Sequence, residues 1–393
     1  MYDAIIVGAR CAGSPTAMLL ARRGRRILLL ERASFASDTL STHYIHQSGV
    51  ARLARWGLAD RLAETGCPPI RRYRFDVGPF ALTGSPPPLD GVDAAYSPRR
   101  YVLDALLTDA AAAAGAEVRH GGIVEGLLTD GGRVTGVHGR TAAGRALREQ
   151  ARVVIGADGR NSTVARAAGA AVYDDRGTLT CAYYTYFTGV ELDGVELYTR
   201  PGRFIGTSPT HDGRIMVIVL WPQAEFPRVR ANVERSFEEA LAPAPGLAER
   251  LRGAHRAEHF RGTRLLPNHF RTAAGPGWAL AGDAGHHKDP ILALGIGDAF
   301  RDADLLADAV DRGLDGDLDG ELATYAQRRD EQARPGFEST VEFAALAPPS
   351  AEQQALFALL RGDQALTDRF FGTFAGTVAP EELFSAAGAA AGP

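Results

Sequence analysis

The feature that most constrains the fold is a glycine-containing turn near the start of the chain, between a buried strand and a helix. Residues Tyr2–Val7 form a short, nearly continuous apolar run, which is typical of a parallel strand covered on both faces. The turn Gly8-Ala9-Arg10-Cys11-Ala12-Gly13 follows at once, and residues 14–23 have a helical composition. A second buried run, Ile27–Leu30, comes next. This order predicts a doubly wound α/β sheet.

The residues of this turn suit a dinucleotide. Gly8 permits the tight turn and Gly13 lets helix and strand pack closely, while the helix N-terminus offers N–H groups to a pyrophosphate. Glu31, about twenty residues beyond the loop, can accept hydrogen bonds from ribose hydroxyl groups. Arg10 occupies the place of the second glycine, so its side chain must either point away or contact the cofactor. Candidate binding residues here are Gly8, Arg10, Cys11, Ala12, Gly13, Glu31 and Arg32.

A second segment repeats the order of strand, turn and helix. Ala151–Ala157 has the pattern of a buried strand, and Asp158-Gly159 follows it. The next helix begins near Thr163, with Ser162 as its N-cap. Asp158 and Gly159 are therefore the second group of predicted binding residues.

The third segment lies more than a hundred residues further on. The short apolar strand Trp278–Ala281 ends at Gly282-Asp283, and a turn containing Pro290, Gly295 and Ile296 leads into a helix predicted over residues 298–310. A buried carboxylate at such a strand end can hold the ribityl hydroxyl groups of a flavin. Gly282 and Asp283 are therefore candidates for that contact.

With these three motifs in this order, the chain resembles the FAD-dependent monooxygenases of the para-hydroxybenzoate hydroxylase type, which are related to flavin-dependent halogenases and geranylgeranyl reductases. The residues that match are Gly8–Gly13 with Glu31, Gly156–Gly159, and Gly282-Asp283 with Pro290 and Gly295. The resemblance implies that FAD is the cofactor, with NAD(P)H as a transient reductant. It also implies that Asp283 binds the ribityl chain and that Gly295 and Ile296 begin a helix beneath the flavin ring.

Two further segments resemble the family more weakly. An arginine opens a family helix that runs over the cofactor, and here Arg100 is the better candidate and Arg99 its rival, although either could be a surface residue. The segment Asp38–His46 corresponds to a loop that passes near the pyrophosphate and the ring. His43 and His46 are therefore candidates to face the flavin, although lone histidines are more often structural.

The remaining segments predict an inserted substrate domain. Residues 71–77 and 80–83 and several runs between 178 and 221 alternate or run apolar with turn signals between them, as antiparallel strands do. We therefore predict an α/β protein: a Rossmann-like FAD-binding domain with an inserted antiparallel-sheet substrate domain and C-terminal helices. The predicted bounds are 1–70, 96–177 and 268–335 for the FAD-binding domain, 71–95 and 178–267 for the substrate domain, and 336–393 for the helical segment.

Composition excludes several classes of function. The net charge is −4 and no block of like charge occurs, so neither nucleic acid nor an anionic membrane surface is an expected partner. No apolar run approaches the length of a membrane span. The three cysteines are widely spaced and match no disulfide or metal-ligand pattern, which favours a cytoplasmic protein without a metal.

The resemblance implies an NAD(P)H-dependent monooxygenase, in which oxygen adds at the flavin C4a position and one oxygen atom hydroxylates an aromatic or polyketide-like small molecule. His46 and Tyr184 are the candidate catalytic residues, because deprotonation of a phenol assists its hydroxylation. A reductase of the geranylgeranyl reductase type and a flavin-binding protein without turnover are the alternatives. A halogenase is disfavoured, because the family's Trp-x-Trp-x-Ile-Pro motif is absent. A homodimer is compatible with the sequence.

Overall fold

The computed structural model describes residues 1–33 and 38–391, so the last two residues of the predicted helical segment 336–393 lie outside it. The strands are β1 Tyr2–Val7, β2 Ile27–Glu31, β3 Tyr73–Asp76, β4 Ala81–Gly84, β5 Glu117–His120, β6 Gly122–Asp130, β7 Arg133–Thr141, β8 Ala146–Gly156, β9 Val172–Thr178, β10 Thr180–Thr188, β11 Val195–Arg200, β12 Arg203–Pro209, β13 Ile215–Pro222, β14 His255–Arg256, β15 Arg261–Thr263, β16 Pro267–Arg271, β17 Ala274–Gly275, β18 Trp278–Leu280 and β19 His286–His287.

The helices are α1 Gly13–Arg22, α2 Gln47–Arg55, α3 Ala59–Glu64, α4 Arg100–Ala113, α5 Thr163–Ala167, α6 Phe226–Ala231, α7 Val233–Leu241, α8 Pro245–Arg252, α9 Gly295–Leu314, α10 Leu318–Ala344, α11 Ala351–Gly362, α12 Gln364–Ala375 and α13 Pro380–Ala391. Short 3-10 turns span Gln223–Glu225, Gly282–Ala284 and Pro290–Leu292. Helix α9 begins before the predicted residue 298, because the glycines of its first turn accept helical geometry.

The first sheet has the strand order β17-β18-β8-β1-β2-β5. Strand β1 runs parallel to both β2 and β8, and β8 runs parallel to β18. The β1 residues Ala4, Ile5 and Ile6 are fully buried, as expected for a strand with helices or sheet on both faces. The carboxyl ends of β1, β8 and β18 therefore meet at one edge, and the predicted Rossmann-like α/β class is confirmed.

The connection into β8 is an antiparallel meander that the sequence analysis did not predict. Strand β6 pairs with β7, and β7 pairs with the first half of β8. Strand β8 thus serves two purposes, because its first half belongs to the meander and its second half to the parallel sheet. Its alternating exposed and buried residues give way to the continuously buried run Val153–Gly156 at that point.

The second sheet has the strand order β14-β10-β13-β12-β11-β3-β4, with β15 beside β10. It is antiparallel except for the pair β11 and β3, which is parallel because β3 enters from a separate stretch of chain. One face, with Cys181, Val217 and Trp221, packs against α6–α8. The opposite face carries Tyr184, Phe204 and Met216 and packs against the turn around Ile291 and Leu292.

The C-terminal helices cover the outer end of this second sheet. Phe75 of β3 packs within 6.1 Å, ring centroid to centroid, of Phe357, Phe370 and Phe374 on α11 and α12. The small sheet β19-β16-β9 lies beside α10, where the Phe270 ring packs at a tilt against the Phe337 ring, 4.8 Å away from centroid to centroid. Within residues 1–33 and 38–391, no helix combines the length and apolar character needed to cross a membrane.

Candidate functional site

The three glycine-containing segments meet at the carboxyl edge of the first sheet. The Ala157 N–H donates to the Val7 carbonyl at 2.8 Å, and the Ala281 N–H donates to the Gly156 carbonyl at 2.9 Å. These bonds place the ends of β1, β8 and β18 side by side. Open α/β sheets bind their ligands outside this edge.

Glycine is required at two positions of the first turn. A Cβ atom on Gly8 would lie 2.4 Å from the Ala157 carbonyl oxygen, and one on Gly13 would lie 1.8 Å from the Gly8 carbonyl oxygen. A Cβ atom on Gly282 would lie 3.1 Å from the Ala12 Cβ, which brings the third segment against the first. The turn therefore has the tight packing that the sequence analysis predicts.

Glu31 at the end of β2 holds the turn in place. Its carboxylate oxygens accept hydrogen bonds from the backbone N–H groups of Ala9 and Ala33, each at 2.9 Å. Glu31 is 5% exposed, whereas its neighbour Arg32 is exposed. The Glu31 oxygens retain lone pairs, so the carboxylate can also accept bonds from a ribose.

Arg10 reaches from the turn to helix α4. Its Nη1 lies 3.1 Å from Asp104 Oδ2, while Arg100 Nη2 lies 2.9 Å from Asp104 Oδ1. The Cys11 thiol also faces Asp104, at 3.5 Å. Asp104 is 1% exposed, so the structure joins the two predicted arginines through one buried carboxylate. Asp104 was not among the predicted site residues, although its four-residue spacing from Arg100 within a predicted helix indicates an ion pair.

The Asp158 side chain shapes the second segment by bonding to the start of helix α5. Its carboxylate accepts from the Thr163 N–H at 2.7 Å and from the Ser162 hydroxyl. Ser162 in turn caps α5 by accepting from the Ala165 N–H at 2.9 Å, so the predicted N-cap is correct. Gly159 has a φ of +77°, which a residue with a side chain rarely adopts.

Asp283 differs from the prediction. The sequence analysis expected a buried carboxylate, but Asp283 is exposed, because the strand ends at Leu280 and the 3-10 turn Gly282–Ala284 carries the side chain outward. The buried carboxylate of this region is Asp302, whose Oδ2 accepts from the Gly282 N–H at 2.9 Å. Asp283 is thus available to a ligand along the open edge.

The turn before α9 is capped and strained. Asp289, just before Pro290, accepts from the Ile291 N–H at 3.0 Å and from the Thr180 hydroxyl, which ties the turn to the second sheet. Burial raises the Asp289 pKa to about 6. Ala293 has a φ of +54°, and a residue with a side chain in that conformation is held there by its surroundings.

The N-terminus of α9 opens onto free space. Gly295 is exposed, Ile296 is buried, and a Cβ atom on either Gly295 or Gly297 would meet no atom within 4 Å. A Cβ atom on Gly159 would likewise meet nothing within 4 Å. Free helix N–H groups, open space and the exposed Asp283 carboxylate lie along one edge of the sheet. These features fit a dinucleotide cofactor with an anionic region.

His43 lies in a buried network between the two sheets. It is fully buried with a φ of +60°, and its Nε2 shares a hydrogen bond with the Tyr186 hydroxyl. Burial lowers the His43 pKa to about 3. The Arg99 guanidinium lies 4.2 Å from the centre of the Tyr186 ring and pairs with Asp38. Arg99 and Arg100 therefore belong to different networks.

The two candidate catalytic residues occupy different surroundings. Tyr184 packs with its ring 6.1 Å from His43, and its buried hydroxyl has no hydrogen-bond partner in the described chain. His46 instead places Nε2 at 3.0 Å from the Leu292 carbonyl oxygen. Burial lowers the His46 pKa to about 4, which makes its ring a weak base but leaves it neutral and able to accept a hydrogen bond.

A narrow apolar cavity of about 50 Å³ separates the second sheet from the turn before α9. Phe204, Met216 and Ile218 form its sheet wall, and the segment Pro290–Ala293 forms the wall opposite. The remaining lining includes the side chains of Tyr44, His46, Tyr73 and Phe374. Tyr44, Tyr73 and Phe374 were not among the predicted site residues, because only the tertiary fold brings these distant segments together.

Comparison with known proteins identifies the family. The model of the family described as FAD binding domain matches residues 1–339, so this chain belongs to that family. The predicted FAD cofactor is therefore confirmed, and the open edge bounded by Gly159, Asp283 and Gly295 fits it.

Curated relatives include monooxygenases and a reductase. The chain is 31% identical to rifampicin monooxygenase of Streptomyces venezuelae over 343 residues, 79% of this chain and 65% of that protein. It is 28% identical to 6-methylpretetramide 4-monooxygenase of Streptomyces rimosus, over 77% of this chain and 73% of that one. It is 27% identical to digeranylgeranylglycerophospholipid reductase of Methanocella arvoryzae, over 75% of this chain and 74% of that protein. The prediction of an FAD-dependent oxidoreductase is confirmed at the level of the family.

Solved structures share the fold along nearly the whole chain. A flavoprotein/dehydrogenase from Cytophaga hutchinsonii has a TM-score of 0.85 at 18% identity, covering 99% of this chain and 98% of its own. The myxobacterial chondrochloren halogenase has a TM-score of 0.81 at 23% identity, covering 99% and 96%. At these identities the likeness concerns the fold alone.

Proposed function

We propose that this protein is an NAD(P)H-dependent monooxygenase that hydroxylates an aromatic or polyketide-like small molecule. The overall reaction is R–H + O₂ + NAD(P)H + H⁺ → R–OH + NAD(P)⁺ + H₂O. The bound FAD would supply the electron transfer from NAD(P)H and the activation of oxygen. The protein contributes binding, orientation and the exclusion of water.

The observation that supports this proposal is the position of the apolar cavity. The segment Pro290–Ala293 forms one wall of the cavity and leads directly into the open N-terminus of α9. A substrate in the cavity would therefore lie beside the proposed position of the flavin ring. Among the described lining residues none is Asp, Glu, Lys or Arg, so this space is suited to keeping water away from reactive groups.

Particular residues are assigned to the cofactor in this proposal. The turn Gly8–Gly13 would bind the pyrophosphate, Glu31 the adenosine ribose, and Asp283 the ribityl chain. The N–H groups of Gly295 and Ile296 would stabilise negative charge on the reduced ring. Arg10 and Arg100, joined by Asp104, would hold the first turn against α4.

Oxygen-18 labelling tests the proposal. The FAD-loaded protein is supplied with NADH or NADPH, ¹⁸O₂ and a panel of phenols and polycyclic ketones, and the products are analysed by mass spectrometry. We expect one ¹⁸O atom in the product and one NAD(P)H oxidised for each product formed. If no compound in the panel stimulates NAD(P)H oxidation, and supplying a separate flavin reductase yields no oxygenated product, the monooxygenase proposal is wrong.

A reductase is the second candidate, and the resemblance to an archaeal digeranylgeranylglycerophospholipid reductase favours it. The same experiment separates the two, because a reductase would add two hydrogen atoms to a carbon–carbon double bond and consume no oxygen. A product without ¹⁸O that is two mass units heavier than its substrate would support the reductase. Bound flavin that no nicotinamide or reductase can reduce would support a binding protein without turnover.

A further inference from the structure

Three buried polar groups of residues that line the cavity lack a well-formed hydrogen bond within the described chain, although two of them, the hydroxyl groups of Tyr44 and Tyr73, lie close enough to affect each other's pKa. They are the Tyr44 hydroxyl, the Tyr73 hydroxyl and the His46 Nδ1. The three residues are 4%, 2% and 8% exposed, so they are almost fully withdrawn from solvent. The Tyr44 ring lies 4.8 Å from the His46 ring and 6.3 Å from the Tyr73 ring, centroid to centroid. Buried polar groups without partners are costly, which points to a ligand that pairs with them.

The hydrogen bond to Leu292 fixes the proton on the His46 ring. A carbonyl oxygen can only accept, so the 3.0 Å contact with the Leu292 oxygen requires a hydrogen on Nε2. The neutral ring then has an unprotonated Nδ1, which can only accept. Because burial lowers the His46 pKa to about 4, this state persists at neutral pH.

The two tyrosines have the complementary chemistry. Burial raises the pKa of both the Tyr44 and the Tyr73 hydroxyl groups above the ordinary value, so both keep their protons at neutral pH. Each can therefore donate a hydrogen bond. The cavity residues thus supply one acceptor and two hydroxyl donors, and one donor remains for a ligand if one tyrosine bonds to the other. The rest of the lining is uncharged and mostly apolar, with Thr42, Thr207 and Ser208 as its other hydroxyl residues.

We propose that Tyr44, Tyr73 and His46 form a subsite that selects an uncharged hydroxyl-bearing ring, a phenol, over a ring that carries a carboxylate. The ligand hydroxyl donates to His46 Nδ1, and its oxygen accepts from a tyrosine. A carboxylate has no hydrogen to donate and finds no cation among the described lining residues. The inference rests on the proposed function, since it names the class of substrate for the same cavity.

The cavity is too small to admit even one ring without a change in its walls. Its volume of about 50 Å³ is less than a ring requires, so binding must displace a wall residue. Phe374 is only half-buried, whereas Phe204 and Met216 on the sheet are buried. Phe374 is therefore the wall residue that we expect to move.

Equilibrium binding of three matched probes to the FAD-loaded protein tests the proposal without turnover. The probes are p-cresol, p-xylene, which replaces the hydroxyl by a methyl group, and p-toluate, which replaces it by a carboxylate. We expect p-cresol to bind about 10-fold or more tightly than either of the others, as measured by ligand-observed NMR titration. In the double variant Tyr44→Phe/Tyr73→Phe, the preference over p-xylene should fall to about 3-fold or less, with p-xylene affinity unchanged.

Tyr183→Phe is the matched control, because Tyr183 lies on the opposite face of the same sheet and packs against Phe226. It should keep the full preference for p-cresol. The proposal is wrong if p-toluate binds as tightly as p-cresol, if the double variant keeps the preference, or if none of the probes binds. Labelling with ¹⁸O₂ can fail while the p-cresol preference holds, so the failure of the proposed function is distinguishable from the failure of this subsite.

Discussion

The dinucleotide edge and the apolar cavity are adjacent, but they are built in different ways. The edge depends on backbone geometry: Gly8 and Gly13 leave no room for a side chain, and Gly159 adopts a positive φ. The cavity depends on side chains from the second sheet, the loop after β2, the turn before α9 and helix α12. Backbone sites tolerate almost no substitution at their glycines, whereas cavity side chains can be exchanged to change the ligand without losing the fold.

The largest effect is expected at the backbone site, for Gly13→Ala. The new Cβ would lie 1.8 Å from the Gly8 carbonyl oxygen, so the turn must rearrange. We expect FAD binding to be lost and the free energy of unfolding to fall by more than about 4 kcal/mol, measured by denaturant titration. Gly246→Ala is the control, because a Cβ there meets no atom within 4 Å. Normal flavin content in Gly13→Ala would show that the turn is not tightly packed.

Asp104→Asn tests the side-chain support of the backbone site. It removes the charge that pairs with both Arg10 and Arg100 inside the protein. We expect the free energy of unfolding to fall by about 3 kcal/mol and FAD affinity to fall with it, because the buried Arg100 guanidinium and the half-buried Arg10 guanidinium would lose their charged partner. Asp109→Asn changes an exposed residue of the same helix and should alter neither the free energy of unfolding nor FAD affinity. Equal effects of the two substitutions would exclude a special role for Asp104.

The pH dependence of stability reports on the histidines around the cavity. Burial lowers the pKa of His43 to about 3 and of His46 to about 4, both below the value near 6.5 of an unfolded histidine. The unfolded state therefore binds more protons below pH 6.5, and stability must fall as the pH falls. Each histidine should lower the free energy of unfolding by about 2 kcal/mol as the pH falls from 7 to 5.

Asp289 works in the opposite direction over the same range. Burial raises its pKa to about 6, so on acidification the folded state takes up a proton at a higher pH than the unfolded state does. Between pH 7 and pH 5 this adds about 1 kcal/mol to the free energy of unfolding. Together these three groups contribute a net loss of about 3 kcal/mol between pH 7 and pH 5, and His269, whose pKa burial lowers to about 4, adds to the loss that denaturant titration measures. In His46→Gln the loss should be smaller by about 2 kcal/mol, and an unchanged pH profile would show that His46 titrates normally.

The smallest effect on the fold is expected for Asp283→Asn, which should affect FAD binding without affecting stability. Asp283 is exposed at the open edge, so the stability of the apoprotein should change by less than about 0.5 kcal/mol. FAD affinity should nevertheless fall about 10-fold, because a charged acceptor for the ribityl hydroxyl groups becomes a neutral one. A fluorescence titration with FAD measures this, and unchanged affinity would remove Asp283 from the site.

The sequence predicted the backbone site far better than the cavity. Strand, turn and helix are local, so Gly8, Gly13, Gly159 and the Ser162 cap could be assigned from neighbouring residues. The contact of Arg10 with Asp104 could not be predicted from the sequence, because 94 positions separate the two residues. Tyr44, Tyr73 and Phe374 carry no local signal, since a buried aromatic residue is ordinarily part of a core. Asp283 was expected at a buried strand end, but the strand ends at Leu280 and the 3-10 turn that follows exposes its side chain.

In the proposed function, the cavity and the flavin site share the segment from Pro290 to Gly297. Absorption difference spectroscopy of the FAD-loaded protein during a p-cresol titration tests this claim directly. We expect a saturable shift of the flavin bands, with the same dissociation constant that NMR titration gives for p-cresol. Saturable p-cresol binding that leaves the flavin spectrum unchanged would contradict it, because the ligand would then lie away from the ring.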